Sequence, residues 1–339
     1  MSEKTKPLAA RTDSFRNVPG PNSAENPIAT NADIVKAETA AEVADSAAKL
    51  DDGVAKLNIN ENEAILAPVD KHDAPVDEKP KFAAPTTPLT KLFAELPAIT
   101  TEAGHSEMWG VQLSDESDVP SSIVLEKFLR ANTKDVEKAK AQLIQALKWR
   151  KSIDPAKLLA DVRFDPAKFG GVGYVTTYAE GKEIVSWNIY GAVKDKKATF
   201  GNVEEFINWR SALMELSVQK LDLASATEKI PADGVDQYRM VQVHDYLSVS
   251  FFKMDPAVKA ASKEVIATFS MAYPELLKEK FFVNVPVLMG WVSAAMKLFL
   301  SAETIKKFHP LTYGSALAGE LSFGKELPTP YGGNGKPGL

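Results

Sequence analysis

The sequence predicts an α/β domain, a mixed sheet with helical crossovers, behind a small helical lobe and a disordered N-terminal tail. Three observations carry this. Strand-like and helix-like periodicities alternate from about residue 174 onward, which implies strands joined by crossovers. Phe281, Phe282, Val283 and Val285 form a nearly continuous apolar run, the mark of a strand covered on both faces. Residues 1–88 are rich in Ala, Pro, Asp, Glu, Asn and Thr, with Phe15 and Phe82 as their only aromatics, too little to offset the entropy of ordering. The expected division is tail 1–88, helical lobe 89–155 and α/β domain 156–339.

Within the tail, Ala32 to Leu50 is Ala-rich but lacks a continuous apolar face. Order is expected to begin near Leu89, where Leu89, Leu92, Phe93 and Leu96 suit a short amphipathic helix. Leu125, Phe128 and Leu129 mark one face of the next helix. Thr133 is expected to cap a third, with Asp135 in its first turn, where a carboxylate favours the helix dipole. That helix runs through Val136, Leu143, Ile144 and Leu147 to Trp149 and Arg150. Asp154-Pro155 and Asp165-Pro166 are cap-plus-proline helix starts.

Tyr174–Tyr178 and Ile184–Tyr190 read as strands, with Ala179-Glu-Gly-Lys182 as the turn between them. Phe169-Gly-Gly-Val-Gly173 fits neither the dinucleotide nor the P-loop spacing and precedes a strand instead of following one, so it reads as a turn. Phe200 to Leu223 predicts a helix with Phe206, Leu213, Leu216 and Leu221 inward, followed by a polar insert over residues 224–236. Tyr238–Tyr246 predicts a strand, and Met254-Asp-Pro256 opens a helix through Val258, Ala261, Val265 and Phe269 that leads to Tyr273. The strand Lys280–Val285 should stop at Pro286, which lacks a ladder donor. From Val287, Leu288, Trp291, Ala295, Leu298 and Phe299 recur at helical spacing.

Composition narrows the chemistry. The chain has 339 residues and no cysteine, which excludes disulfides, thiolate nucleophiles and thiolate metal ligands. The apolar content of 45% suffices for a substantial core, while no stretch reaches the length of a membrane-spanning run. The opening Met-Ser-Glu-Lys-Thr-Lys lacks an apolar signal region, so a cytoplasmic location is expected. Residues 1–90 hold 10 Lys and Arg against 15 Asp and Glu, which accounts for the net charge of −5 and leaves the remainder neutral. A neutral folded part argues against nucleic acid, whose phosphates demand a basic face. There is no Gly-x-Ser-x-Gly elbow and no His/Glu zinc constellation, so a hydrolase finds little support.

His244-Asp-Tyr246 sits at the end of a predicted strand. Residues i and i+2 share a face roughly 6 to 7 Å apart, so His244 and Tyr246 look into one space while Asp245 looks away. Such a pair can bind a metal, orient a headgroup, or fill core with satisfied polar tips. His72 lies in the tail, His105 in a linker and His309 before Pro310, and all three are weaker candidates.

Several motifs occur together and in order: Trp187-Asn-Ile-Tyr-Gly191, Arg210-Ser-Ala-Leu-Met-Glu215, Gln242-Val-His-Asp-Tyr246, Lys253-Met-Asp255, Tyr273-Pro-Glu275 and Lys280-Phe-Phe-Val-Asn-Val-Pro286. Upstream, Phe128-Leu-Arg-Ala131, Asp135-Val-Glu-Lys-Ala139 and Trp149-Arg150 resemble the helical lobe that precedes CRAL-TRIO domains. Together they resemble the CRAL-TRIO (sec-fourteen-like) lipid-binding family, and within it the fungal non-classical phosphatidylinositol transfer proteins that also bind haem. The resemblance covers about residue 105 to the end, closing on Leu327-Pro-Thr-Pro-Tyr-Gly-Gly333.

The resemblance implies a gated lipid cavity and a carrier of phosphatidylinositol rather than an enzyme. It implies peripheral, transient contact with a membrane surface of endoplasmic reticulum or microsomal type, through a gate helix over Val287–Leu300 whose Trp291, Leu298 and Phe299 dip into the interface. It also implies a b-type haem (heme b) with Tyr246 as axial ligand to the metal, His244 beside it, and Arg210 and Lys280 completing the pocket. Phenolate is a hard anionic donor suited to ferric iron. The two cations would favour the phenolate or pair with haem propionates, though each alone would equally suit a surface salt bridge. A further pocket tyrosine of that subgroup falls at Asn132 here, a departure on the distal side. The rival readings are a peroxidase- or catalase-like haem protein of redox stress and a lipid-sensing regulator that moves no lipid.

Overall fold

A computed structural model describes residues 86–249, 255–286, 305–336 and 339. Residues 1–85 of the expected tail, Lys253-Met254 and the expected gate helix Val287–Leu300 with Trp291, Leu298 and Phe299 lie outside the described residues, while Thr87 and Pro88 at the end of that tail already belong to the first helix.

The helical lobe is built from α1 (Pro88–Ala103), α2 (Val119–Ala131) and α3 (Val136–Ile153), with a minimal hairpin β1 (Glu107–Met108) and β2 (Val111–Gln112) between the first two. Thr87 caps α1 by accepting from the Thr90 amide, and Pro88 opens the first turn. Apolar residues at helical spacing, among them Leu92, Ile99, Ile123, Phe128, Leu143 and Leu147, fuse the three helices into one core. Trp109 stacks on Phe128 with ring centres 5.5 Å apart and donates its indole N–H to the Ala272 carbonyl at 3.2 Å, tying the lobe to the rest of the unit.

Asp135, not Thr133, caps α3, accepting from the Lys138 amide at 3.0 Å. Thr133 and Lys134 both take positive φ to make the tight turn out of α2, a conformation that a capping residue in extended geometry does not have. The helix also continues past Arg150 to Ile153, ending on Asp154, whose left-handed backbone stops it while its side chain caps α4 (Pro155–Ala160). Asp165 starts α5 (Pro166–Phe169) in the same way, and the glycine stretch after it is a turn, as its spacing implied.

Five strands form one sheet: β3 (Gly173–Tyr178), β4 (Glu183–Ile189), β5 (Met240–Asp245), β6 (Leu277–Val283) and β7 (Phe308–Leu311), ordered β3-β4-β5-β6-β7. The first pair is an antiparallel hairpin and the others are parallel, which makes the sheet mixed. The crossover from β4 to β5 carries α6 (Lys196–Phe200) and α7 (Val203–Leu221), two helices where periodicity suggests one. Asn202 breaks them by capping α7, its side chain accepting from the Glu205 amide at 3.1 Å. Phe206 and Leu213 are buried as expected, while Leu216 and Leu221 are half-buried. The crossover from β5 to β6 carries α8 (Pro256–Ala272), capped by Asp255.

Strand β6 begins three residues before the expected start at Lys280 and ends at Val283 instead of Val285, because Asn284 turns out of the ladder with φ 59°. Its charged start is held by neighbours: Lys278 bonds Glu183 and Glu279 meets His309, both at 2.6 Å. One face of the sheet, formed by Val185, Trp187, Val241, Val243, Phe281 and Val283, is sealed by Leu317 on α9 (Leu317–Glu320) and by Phe323, Leu327 and Tyr331. The opposite face is chemically different. The register aligns Asn188, His244 and Phe282 in one row and Ser186, Gln242, Lys280 and Phe308 in the next. Helix α7 packs on that side, with Trp209 and Leu213 so close to Gly173 that a Cβ there would lie 2.8 Å from each.

Candidate functional site

Three of the four residues singled out above stand on or just beyond the polar face of the sheet, and the fourth reaches it from a helix. His244 and Tyr246 share a side of the β5 end, their ring centres 6.5 Å apart. Lys280 lies one strand over, in register with Gln242. Arg210, projecting from α7, donates an N–H to the Asn188 side-chain oxygen. Asp245 faces the other way, as alternation requires: it accepts from Tyr331 at 2.8 Å, from Asn284 at 2.7 Å and from the Leu247 amide at 2.8 Å. That hub fixes the turn just beyond Tyr246.

Aromatic rings wall the space. Tyr190 sits 5.4 Å from His244 and 5.5 Å from Tyr246, and Phe282 sits 5.5 Å from His244 and 6.4 Å from Tyr246, all between ring centres. Lys280 Nζ lies 5.4 Å from the Phe282 ring and 5.5 Å from Phe308, and the Arg210 guanidinium lies 5.2 Å from Phe269. These are cation–π distances, in which an aromatic face attracts a cation without neutralising it.

The electrostatics follow from burial. His244 is pushed well below the ordinary imidazole range by desolvation and then by the charges of Lys280 and Arg210, so it is neutral near pH 7. Burial, followed by the charge of Arg210, lowers Lys280 to about 7. Burial drives the Tyr246 phenol well upward, with Tyr190 adding to the shift and Arg210 opposing it, so the hydroxyl keeps its proton. Tyr190 is raised as well, again by burial and against the pull of Arg210.

Neither cation has a carboxylate partner among the described residues, and three buried polar atoms on this face, Asn188 Nδ2, Arg210 Nε and His244 Nε2, have no hydrogen-bond partner. Buried polar atoms are nearly always satisfied, so such a cluster marks a candidate binding site. Asn132, by contrast, gives its side-chain amide to the Phe128 carbonyl at 2.9 Å and to Gln142 at 2.6 Å within the helical lobe. His105 stands 3.5 Å from Glu107, and His309 pairs with Glu279 and stacks on Phe281, away from the polar face. His72 lies outside the described residues.

Asn188, Tyr190, Phe282 and Phe308 also line this face, although the sequence places Asn188 and Tyr190 only in a motif and Phe282 only in an apolar strand. The signal was present in β4, where alternation puts Ser186 and Asn188 on one side and Trp187 on the other, but a buried asparagine is informative only once its partner is known. A separate groove of about 1150 Å³, lined by Trp149, Leu158, Ile207 and Met271 among others, touches none of the polar-face residues.

Comparison with known proteins agrees with this architecture. The CRAL/TRIO domain model matches residues 168–333, and the CRAL/TRIO N-terminal domain model matches residues 88–145. The chain is 66% identical over 255 residues to "Phosphatidylinositol transfer protein sfh5" of Sclerotinia sclerotiorum, a match covering 74% of this chain and 62% of that one. The protein of that name from Botryotinia fuckeliana is 65% identical over 254 residues, 74% of this chain and 58% of its own length. In Coccidioides immitis the identity is 48% over 304 residues, 88% of this chain and 66% of the relative. The chain thus spans about three fifths of the length of the first two relatives. A solved structure described as the crystal structure of Sfh5 superposes with a TM-score of 0.63 at 35% identity, over 73% of this chain and 85% of that one. With both parts of the domain matched in order and a solved relative largely covered, this chain belongs to the CRAL/TRIO domain family.

Proposed function

We propose that this protein carries phosphatidylinositol between membranes and also holds a b-type haem through Tyr246. The carrier reading is supported by the names of its relatives and by the family's domain. It works as a carrier rather than a catalyst, meeting membranes transiently through the helix expected over Val287–Leu300.

The observation that carries the haem reading is the convergence of Tyr246, His244, Arg210 and Lys280 on one aromatic-walled face with unpartnered polar atoms. The donor set fits the group. When bound, haem supplies a ferric centre that favours a hard anionic oxygen donor. Tyr246 provides that oxygen, and because burial keeps its phenol protonated, ligation requires the proton to leave. Arg210 and Lys280 provide positive charge for acidic side groups in an otherwise apolar wall. His244, neutral and with Nε2 unpartnered, flanks the ligand without competing as a cation.

Two measurements test the proposal. Protein expressed with a haem precursor should be coloured and contain about one iron per chain; colourless, iron-free protein would overturn the haem half. Labelled phosphatidylinositol should move from donor to acceptor vesicles faster with the protein than without it, and equal rates would overturn the carrier half.

A further inference from the structure

We infer that Asn188 is a specificity-determining residue of the polar face: a neutral amide that fixes Arg210 without cancelling its charge, so that the pocket selects a guest whose buried end carries an anionic oxygen group. This rests on the reading of that face as the ligand pocket, and it commits to carboxylate or phosphate as the chemistry recognised.

Arg210 is 2% exposed and Asn188 fully buried. Arginine is almost never buried so deeply unless it is paired, and the usual partner is a carboxylate. Here the partner is an amide, and the ring of Phe269 behind the guanidinium leaves its full charge in place. The carboxylates nearby are engaged elsewhere. Asp245 points through to the opposite face, and Glu215, five residues along α7, is taken by Arg150 and Tyr273.

A guanidinium only donates, so Asn188 must turn its oxygen toward Arg210, which leaves Nδ2 facing away with two N–H groups and no partner. Arg210 Nε is also unpartnered, and the Lys280 ammonium is again donor-only. Asn188 Nδ2 and Arg210 Nε therefore lack an acceptor and Arg210 lacks a negative charge, and an anionic oxygen group supplies both; the neutral His244, with Nε2 unpartnered, can take either role beside it. An apolar tail or a neutral headgroup would leave the buried charge of Arg210 uncompensated.

The test replaces the amide with an acid of the same size. Asn188→Asp gives Arg210 an internal counter-ion, and ligand-free parent and variant are first compared by thermal melting to establish that both fold. Three probes then separate the sources of the anion: hemin, whose two carboxylates are free; hemin dimethyl ester, in which both are masked; and phosphatidylinositol presented in phosphatidylcholine vesicles. Asn188→Asp is expected to weaken hemin binding by about tenfold or more, the range of a lost charge-assisted contact, and to reduce phosphatidylinositol retention if the phosphate uses the same donors. Hemin dimethyl ester, which brings no charge, should bind the variant at least as well as the parent. Arg210→Gln, which keeps Asn188 and removes the cation, should reproduce the loss and serves if the first variant does not fold. The inference is overturned if the folded variants bind hemin and phosphatidylinositol as the parent does, if the ester weakens along with hemin, or if the parent binds neither anionic probe. If the parent ignores hemin but Asn188→Asp still loses phosphatidylinositol, the haem reading fails and the role of Asn188 stands.

Discussion

Arg150 donates to both carboxylate oxygens of Glu215, at 2.7 and 3.1 Å, and so joins the last turn of α3 to the middle of α7. Glu107 takes two more bonds from the same guanidinium, at 2.7 and 2.9 Å, and Tyr273 donates to Glu215 at 2.7 Å. The helical lobe is thereby locked to the helix that presents Arg210 to the polar face. Arg150→Met would leave Glu215 buried without a cation, a change that costs about 3–5 kcal/mol. Urea denaturation should show that loss, and the double variant Arg150→Met, Glu215→Leu should recover a large part of it. A single variant as stable as the parent would show that the lobe is held by its apolar core alone.

Glu107 gives this cluster a pH dependence. Burial opposes its charge, but the hydrogen bond and charge of Arg150 outweigh burial and hold the carboxyl below its ordinary range. A carboxyl depressed in the folded state adds stability that is present above its unfolded value and disappears as pH falls through its folded value. The melting-temperature gap between the parent and Glu107→Gln should therefore be steady at pH 6–7 and close progressively below about pH 4.5. A gap that widens on acidification would reverse the assignment.

Tyr246→Phe keeps the ring against Tyr190 and Phe282 and removes only the phenolic oxygen. The stability of the ligand-free fold should change by less than about 1.5 kcal/mol, while haem content per chain should collapse. His244→Ala should shift the visible spectrum and keep most of the haem, since a flanking group tunes a site without holding the metal. Iron analysis and absorption of the three proteins decide it: full occupancy with an unchanged ferric spectrum in Tyr246→Phe removes Tyr246 as ligand.

Trp291→Asp with Phe299→Asp should slow vesicle-to-vesicle transfer of phosphatidylinositol without lowering the melting temperature by more than a few degrees. Charged side chains at an apolar helix face resist entry into a bilayer interface. Unchanged transfer would mean that this stretch does not meet the membrane.

Much of this was legible in the chain, and the exceptions have physical causes. Strand alternation alone put His244 and Tyr246 on one side and Asp245 on the other, because the period of a strand is fixed by its backbone. The gathering of Arg210 and Lys280 at that pair was implied only by family resemblance, since it depends on strand register and on α7 lying over β4. The break between α6 and α7 was hidden because the apolar residues keep helical spacing across it, and only the capping of Asn202 reveals it. The early start of β6 was hidden by Lys278 and Glu279, whose charges suggest a surface turn until Glu183 and His309 are seen beside them. Asn188 was missed for a related reason: its meaning lies in what faces it.

The apolar sheet face is covered last as the chain is made. Trp187, Val243 and Phe281 are sealed by Leu317, Phe323, Leu327 and Tyr331, residues translated after all five strands of the sheet. A nascent chain that already holds β3 to β6 therefore keeps this apolar face uncovered until those four residues have cleared the ribosomal exit tunnel, so the face can be sealed only late. Transiently exposed surface of this kind is where aggregation begins and where chaperones bind. Chains stalled at residue 313 should accordingly sediment as aggregates or co-purify with a holdase, whereas chains released after Tyr331 should resist limited proteolysis.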